Sequence, residues 1–385
     1  MRHPLFDPLR GLAALWVLVF HLQAGSPSVQ NVPFVSAIAA AGFLGVPMFF
    51  VISGYCLAAA AARTRKENGS AAGFLRRRLW RILPPFWMSA LLAAFLVPHL
   101  ALDGAAWLRT LSLTQIFDPS EARVIDRFKE LNGPYWSLAI EMQFYLVVAV
   151  ALCLRQRFAS VLLAVTGLSL LCWLSPAART TGLFLPFWMP FALGLGLHAG
   201  LAAGLKPTGR WRVLAALLLL GCMGWLTLGR AWLYAFDPSG WTRGQPNVMA
   251  FAVLFTALLW LAHDWEPSCW LPRWADQTAL AMGAMSYSIY LTHQPVMEAL
   301  QPLLRPWTGG GSVVFGLAVL ACTLAACAMF YVVGELPFLE AKRPHRKPDR
   351  PETSPVLLRS PAAEDRRVEQ DAERNVPVGA GHEAA

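Results

Sequence analysis

The sequence predicts an all-α fold: a polytopic membrane helix bundle of about ten transmembrane helices with both termini cytoplasmic. Three observations carry this. The 385-residue chain is 56% hydrophobic and only 14% charged, where a soluble domain would carry about 25% charge. Apolar runs long enough to span a bilayer recur along most of its length. Basic residues gather in alternate links between those runs. The 16 Trp and 22 Phe suit interfacial belts and packed helical interiors, and the short alternating segments of a β-barrel are not found.

In chain order the runs fall near residues 7–24, 35–61, 83–102, 135–154, 158–175, 182–202, 211–229, 247–263, 279–302 and 311–333. The first run follows Asp7 and Arg10, lacks a convincing small-residue cleavage site and is expected to act as its own membrane-targeting signal. The link 62–82 holds Arg63, Arg65, Lys66, Arg76, Arg77, Arg78 and Arg81, which the positive-inside rule places in the cytoplasm. Arg155 and Arg157, then Lys206, Arg210 and Arg212, fall on the same side. The link 103–134 mixes acids and bases and reads as a solvated loop, ending in Asn132-Gly133-Pro134 as cap and start of the next helix. Pro47, Pro98, Pro186, Pro190 and Pro295 sit inside apolar runs, where proline kinks helices and frees carbonyls. The seven cysteines are odd in number, form no CxxC pair and are expected as reduced thiols. No metal-ligating pattern is read. After residue 340 the chain turns polar and rich in Pro, Glu and Arg, so 1–340 is read as the membrane-embedded domain and 341–385 as a disordered cytoplasmic tail. The net charge of +9 follows membrane topology and does not imply a nucleic-acid partner.

Several polar residues stand out against this background. Arg10 and His21 are eleven residues apart, about three helical turns, so they share one face roughly 16 Å apart along the axis. Ionisable groups in membrane helices commonly face a wet interior and mark function; an arginine snorkelling at one helix end and a histidine at the other interface would give the same pattern. Ser137, Glu141 and Tyr145 repeat at i, i+4 and share a face, and a carboxylate there needs a proton, a donor or a cation, with Arg10 or His21 the natural partner. A structural interhelix bond would also explain it. Ser286, Tyr290 and His293 share another face, either as packing with interhelix hydrogen bonds or as part of a site. Arg77, Arg78 and Arg81 before a spanning helix can fork onto phosphates or act only as topology and headgroup contacts.

Taken together, six motifs in order resemble acyltransferase family 3, integral membrane proteins that O-acylate polysaccharides, lipopolysaccharide, peptidoglycan, glycolipids and some antibiotics. They are Asp7 and Arg10 with His21; Phe49-Phe50-Val-Ile-Ser53-Gly54-Tyr55; Arg77/Arg78/Arg81-Ile82-Leu-Pro84; Trp136-Ser137-Leu-Ala-Ile-Glu141 with Phe144-Tyr145; Ser286-Tyr287-Ser-Ile-Tyr290-Leu-Thr-His293; and Glu335-Leu-Pro337-Phe338. Pro47 departs from the polar residue many relatives carry there. The hydrolase-like domain fused to some relatives is not read in this chain, so an acceptor is expected to be handled by the membrane part or by a partner protein.

The resemblance implies transfer of an acyl group, most often acetyl from acetyl-CoA, to a hydroxyl of a saccharide, polysaccharide or glycolipid. The acyl-CoA would be a co-substrate, with no tightly bound cofactor. In this scheme His21 is general base, or carrier of the acyl group, with Arg10 and Glu141 orienting it or stabilising charge. Ser53, Arg77, Arg78 and Arg81 form the donor side, and Asp7, Trp136, Ser137, Tyr145, Ser286, Tyr290, His293 and Glu335 support the site. The rival class is a secondary transporter or flippase with a His/Glu/Arg relay, whose paired discontinuous segments are not evident. The bilayer is the other expected partner, with the bacterial inner or plasma membrane as the location.

Overall fold

The computed structural model describes residues 3–25, 33–97, 102–121, 126–172, 181–228, 246–266, 271–310 and 312–340. The expected tail and Pro98 lie outside the described residues. Helices run α1 (Phe6–Gly25), α2 (Pro33–Ala40), α3 (Gly45–Lys66), α4 (Ala71–Leu96), α5 (Gly104–Leu111), α6 (Tyr135–Cys153), α7 (Phe158–Cys172), α8 (Trp188–Ala202), α9 (Trp211–Leu228), α10 (Pro246–Leu261), α11 (Arg273–Ala284), α12 (Ser286–Thr308), α13 (Val313–Phe330) and α14 (Leu336–Glu340). No strand occurs among the described residues. The fold is all-α.

Helix is found within every expected apolar run. Among the described residues, five stretches are both long and apolar enough to cross a membrane: Val35–Lys66, Ala71–Leu96, Tyr135–Cys153, Leu185–Ala202 and Val313–Leu339. In α1, Asp7, Arg10, His21 and Gln23 dilute the apolar character. Outward side chains on α7, α9 and α13, such as Leu163, Leu218 and Leu317, are exposed and apolar, as lipid-facing surfaces require.

Proline and glycine shape the elements that matter. A 3-10 turn, Ala41–Leu44, joins α2 to α3 just before Pro47, and a second, Leu185–Phe187, contains Pro186 and leads into α8. Pro47 and Pro190 each sit in the first turn of their helices, where a missing N–H costs least. α4 starts a dozen residues before its apolar run, because Ser70 caps it by accepting from the Gly73 amide at 3.0 Å. α3 packs along α8 at a crossing so close that a Cβ on Gly194 would overlap the Val51 carbonyl. α1 meets α11 in the same way, with Gly283 against the Asp7 carbonyl. Small residues at such crossings let backbones approach without a hydrophobic drive. Phe50, Phe144 and Phe191 pack in the interior beside this crossing, Phe144 and Phe191 stacked at 4.5 Å.

The 103–134 link is not the solvated loop expected. α5 and a 3-10 turn, Thr114–Phe117, fold it onto the bundle. Arg127 is buried and donates to the Ile116 carbonyl, while Phe128 is buried next to Tyr135. Apolar anchors at Ile116, Phe128 and Leu131 outweigh the mixed charge.

Candidate active site

α1, α3, α4, α6 and α12 enclose a cavity lined by Arg10, Ser53, Cys56, Arg78, Arg81, Ser137, Glu141, Tyr145, Ser286, Tyr287 and Tyr290. Three guanidiniums therefore face one interior space. Arg78 reaches the Cys56 carbonyl at 3.4 Å. Among the described residues, Arg10 and Arg81 have neither a hydrogen-bond nor an ion-pair partner. Glu335, fully buried, lies within electrostatic reach of both. Its carboxylate is engaged elsewhere, accepting from Ser288 Oγ at 2.6 Å and from the Ser288 amide at 3.2 Å. Positive charge thus predominates among the half-buried ionisable groups that line the cavity.

Glu141 corrects a sequence expectation. Its carboxylate accepts from Ser53 Oγ and, at 2.6 Å, from Tyr145 Oη, rather than pairing with Arg10 or His21. The i, i+4 spacing on α6 brings Tyr145 to it, and the α3 crossing brings Ser53. Glu141 thus shares the space of the arginines.

Arg77 is likewise elsewhere. It is exposed, does not line the cavity and donates to Thr64 Oγ1 at 3.2 Å, tying α4 to α3. Asp7 is half-buried in the first turn of α1 and lines neither cavity. Ser286 donates to the Gly283 carbonyl at 2.8 Å, closing the turn between α11 and α12.

His21 lines a second cavity, with Val17, Phe20, Phe43, Val46, Asp126, Lys129, Gly133, Pro134, Trp136, Tyr290 and Gln294. Its Nδ1 lies 2.9 Å from the Val17 carbonyl and 3.2 Å from Nε2 of His293. His293 is fully buried, and its own Nδ1 is 2.9 Å from the Ile289 carbonyl and 3.1 Å from that of Tyr290. Val46 and Tyr290 line both cavities and separate them. Tyr290 is fixed there: its hydroxyl pairs with Ser137 Oγ at 2.5 Å and donates to the Pro134 carbonyl at 3.1 Å. Trp136 closes the second cavity from α6, its ring 5.3 Å from that of Phe187.

Several site residues escaped the sequence reading. The mixed charge of the 103–134 link hides Asp126 and Lys129; Lys129 is exposed and pairs with Glu121 at 2.6 Å, which raises its pKa. Cys56 and Gln294 carry no spacing signal. The sequence makes Asn132 look like a helix cap. Its amide instead donates to the Leu291 carbonyl at 2.6 Å, the carbonyl that Pro295 leaves without its helical N–H partner. The pairing is legible only once α6 and α12 are side by side.

Comparison with known proteins bears on this arrangement. The sequence model of the family described as acyltransferase domain, Acyl_transf_3, matches residues 5–332. The chain is similar to the O-acetyltransferase OatA of Staphylococcus aureus, 26% identical over 335 residues that cover 76% of this chain and 50% of that protein. It is also similar to the acyltransferase MdmB of Streptomyces mycarofaciens, 26% identical over 407 aligned positions covering 94% and 99% of the two chains. An O-acetyl transferase of Shigella phage Sf6 is 29% identical over 196 residues, 48% of this chain and 57% of that protein. The chain spans about half the length of the Staphylococcus relative. No solved structure matches it significantly.

Proposed function

Because the chain belongs to acyltransferase family 3, whose members are integral membrane proteins, we propose that it is a multi-pass membrane O-acyltransferase moving an acyl group, most often acetyl, from acyl-CoA to a hydroxyl of a saccharide, polysaccharide or glycolipid. One observation carries the reading: a cavity faced by Arg10, Arg78 and Arg81 abuts, across Val46 and Tyr290, a cavity that holds His21. The first has the charge to take the phosphates and thioester of a CoA donor. The basic 62–82 link beside it supports a cytoplasmic position for that side, with the second cavity toward the opposite face.

In the chemical step His21 removes the proton of the acceptor hydroxyl, whose oxygen bonds to the acyl carbon. The carbon–sulfur bond breaks, and the CoA thiolate recovers the proton from the imidazolium. The guanidiniums face the carbonyl oxygen as it gains charge, and Ser53, whose hydroxyl donates to Glu141, lines the same space. A second reading is favoured by the separation of the cavities: His21 itself takes the acyl group from CoA and passes it to the acceptor. Rapid-quench labelling with radiolabelled donor and no acceptor divides the two, since only the relay leaves a His21-dependent covalent label.

Purified protein in lipid nanodiscs should release CoA from acetyl-CoA when given its acceptor. His21→Ala should slow release by about 10²–10⁴-fold, the usual worth of a general base, with the fold retained. Undiminished release by that variant would end the proposal, and solute movement without CoA release would point to a transporter. Mass spectrometry of cell-surface glycans and lipids from a deletion strain identifies donor and acceptor together through the lost acyl mass.

A further inference from the structure

A half-buried and a fully buried histidine meet in this bundle, and the hydrogen-bond partners around them fix which nitrogen carries each proton. Carbonyl oxygens only accept. His293 Nδ1 faces the carbonyls of Ile289 and Tyr290 at 2.9 and 3.1 Å, so the proton of the neutral ring is on Nδ1 and its Nε2 is a bare lone pair. That lone pair points at His21 Nδ1, 3.2 Å away. His21 Nδ1 also faces a carbonyl, Val17, at 2.9 Å, and so must be an N–H, shared between the Val17 oxygen and the His293 nitrogen. The remaining nitrogen of His21, Nε2, then has no proton. It has no hydrogen-bond partner among the described residues, and the ring that bears it lines the second cavity.

We infer that His293 is a positioning residue for His21: its Nε2, acting with the Val17 carbonyl, holds His21 as the Nδ1–H tautomer and orients the ring so that the basic Nε2 is presented to the acceptor cavity. A carboxylate in this position would bring a negative charge into the bundle; a neutral imidazole accepts the same N–H without one. When His21 takes a proton on Nε2, the imidazolium gains a stronger N–H on Nδ1, and His293 accepts from it. No bond to substrate forms at His293. The backbone anchors that orient His293 come from its own helix, so it needs no other partner to keep its tautomer. Phe20, in edge contact with the His21 ring at 5.1 Å, restrains the ring from the other side.

The inference rests on the proposed role of His21 as base or acyl carrier, and the test separates the two. Solid-state NMR of protein labelled with ¹⁵N-histidine in lipid, with the His21 signals assigned by their loss in His21→Ala, reads the tautomer directly. A neutral Nδ1–H ring is expected at His21 in the unaltered protein, and an Nε2–H ring overturns the inference whatever the enzyme does. In kinetics, His293→Ala should lower kcat about 10–100-fold, the worth of one hydrogen bond to a charged group, with the acceptor KM changed less than about threefold. His293→Gln, whose amide oxygen can accept from His21 and whose NH₂ can donate to Ile289, should restore most of the rate. A merely structural histidine would show no such rescue, and that pattern also overturns the inference. An inactive His21→Ala beside fully active His293 variants sinks the positioning role alone, whereas an active His21→Ala sinks the base itself.

Discussion

Arg78 and Arg81 differ from Arg77 only in where their guanidiniums end, and a binding experiment can read that difference. Each charge-assisted hydrogen bond to a phosphate is worth about 1.5–3 kcal/mol. Arg81→Gln and Arg78→Gln should therefore weaken acetyl-CoA binding about tenfold or more by calorimetry, while Arg77→Gln, exposed and tied to Thr64, should change it less than about threefold. Equal losses at all three would remove the cavity from the donor assignment. Part of this site was legible in the sequence. Helical spacing puts Arg10 with His21 and Glu141 with Tyr145 on common faces, and the Glu141–Tyr145 bond follows from it. Spacing says nothing of partners on other helices, so Ser53 for Glu141 and His293 for His21 could not be read. The choice among adjacent arginines was hidden for the same reason, since residues 77 and 78 both lie within a turn of 81.

At the level of elements, the site depends on repairs to interrupted helices. Pro295 frees the Leu291 carbonyl, and Asn132 takes it. Asn132→Ala would leave a buried acceptor unpaired, a loss of about 1–3 kcal/mol that should appear as a lower unfolding temperature in detergent; an unchanged midpoint would show that the bond contributes nothing. The start of α12 is repaired from another helix. Tyr331–Glu335 forms a π-helical turn, and the turn sets Glu335 against the first-turn amide and hydroxyl of Ser288, where a helix N-terminus favours negative charge. Since α12 carries Tyr290 and His293, this cap orients both. The α3–α8 crossing is equally exacting. Gly194→Ala must push α3 away from α8, so overpacking of about 1–3 kcal/mol should be joined by loss of transfer activity through displaced Ser53. The positions of the apolar helices were legible from hydropathy alone. Their ends were less so: a cluster of arginines masked the first turns of α4, and a break at Met285 divides α11 from α12 within one apolar run.

Across the whole molecule, composition and charge distribution sufficed for the all-α membrane class, because burying every backbone group in lipid leaves few alternatives. They could not show that the interior is two spaces. That division comes from how five helices pack, and from one tyrosine whose hydroxyl is pinned by Ser137 and Pro134. On the proposed assignment, donor and acceptor would approach from separate spaces and the reacting groups would meet past Val46 and Tyr290, which line both cavities.

The same pair of side chains bears on the electrical integrity of the cell. If the two cavities open toward opposite faces of the membrane, as proposed, the catalyst is one side chain from being a conduit, and a proton leak would dissipate the gradient that powers the cell's other transport. On that proposal Tyr290 acts as insulation as well as a wall of the site. Tyr290→Ala in sealed vesicles with an imposed pH difference should collapse that difference faster than the unaltered protein does, even without any substrate; vesicles that stay tight would mean the seal lies elsewhere.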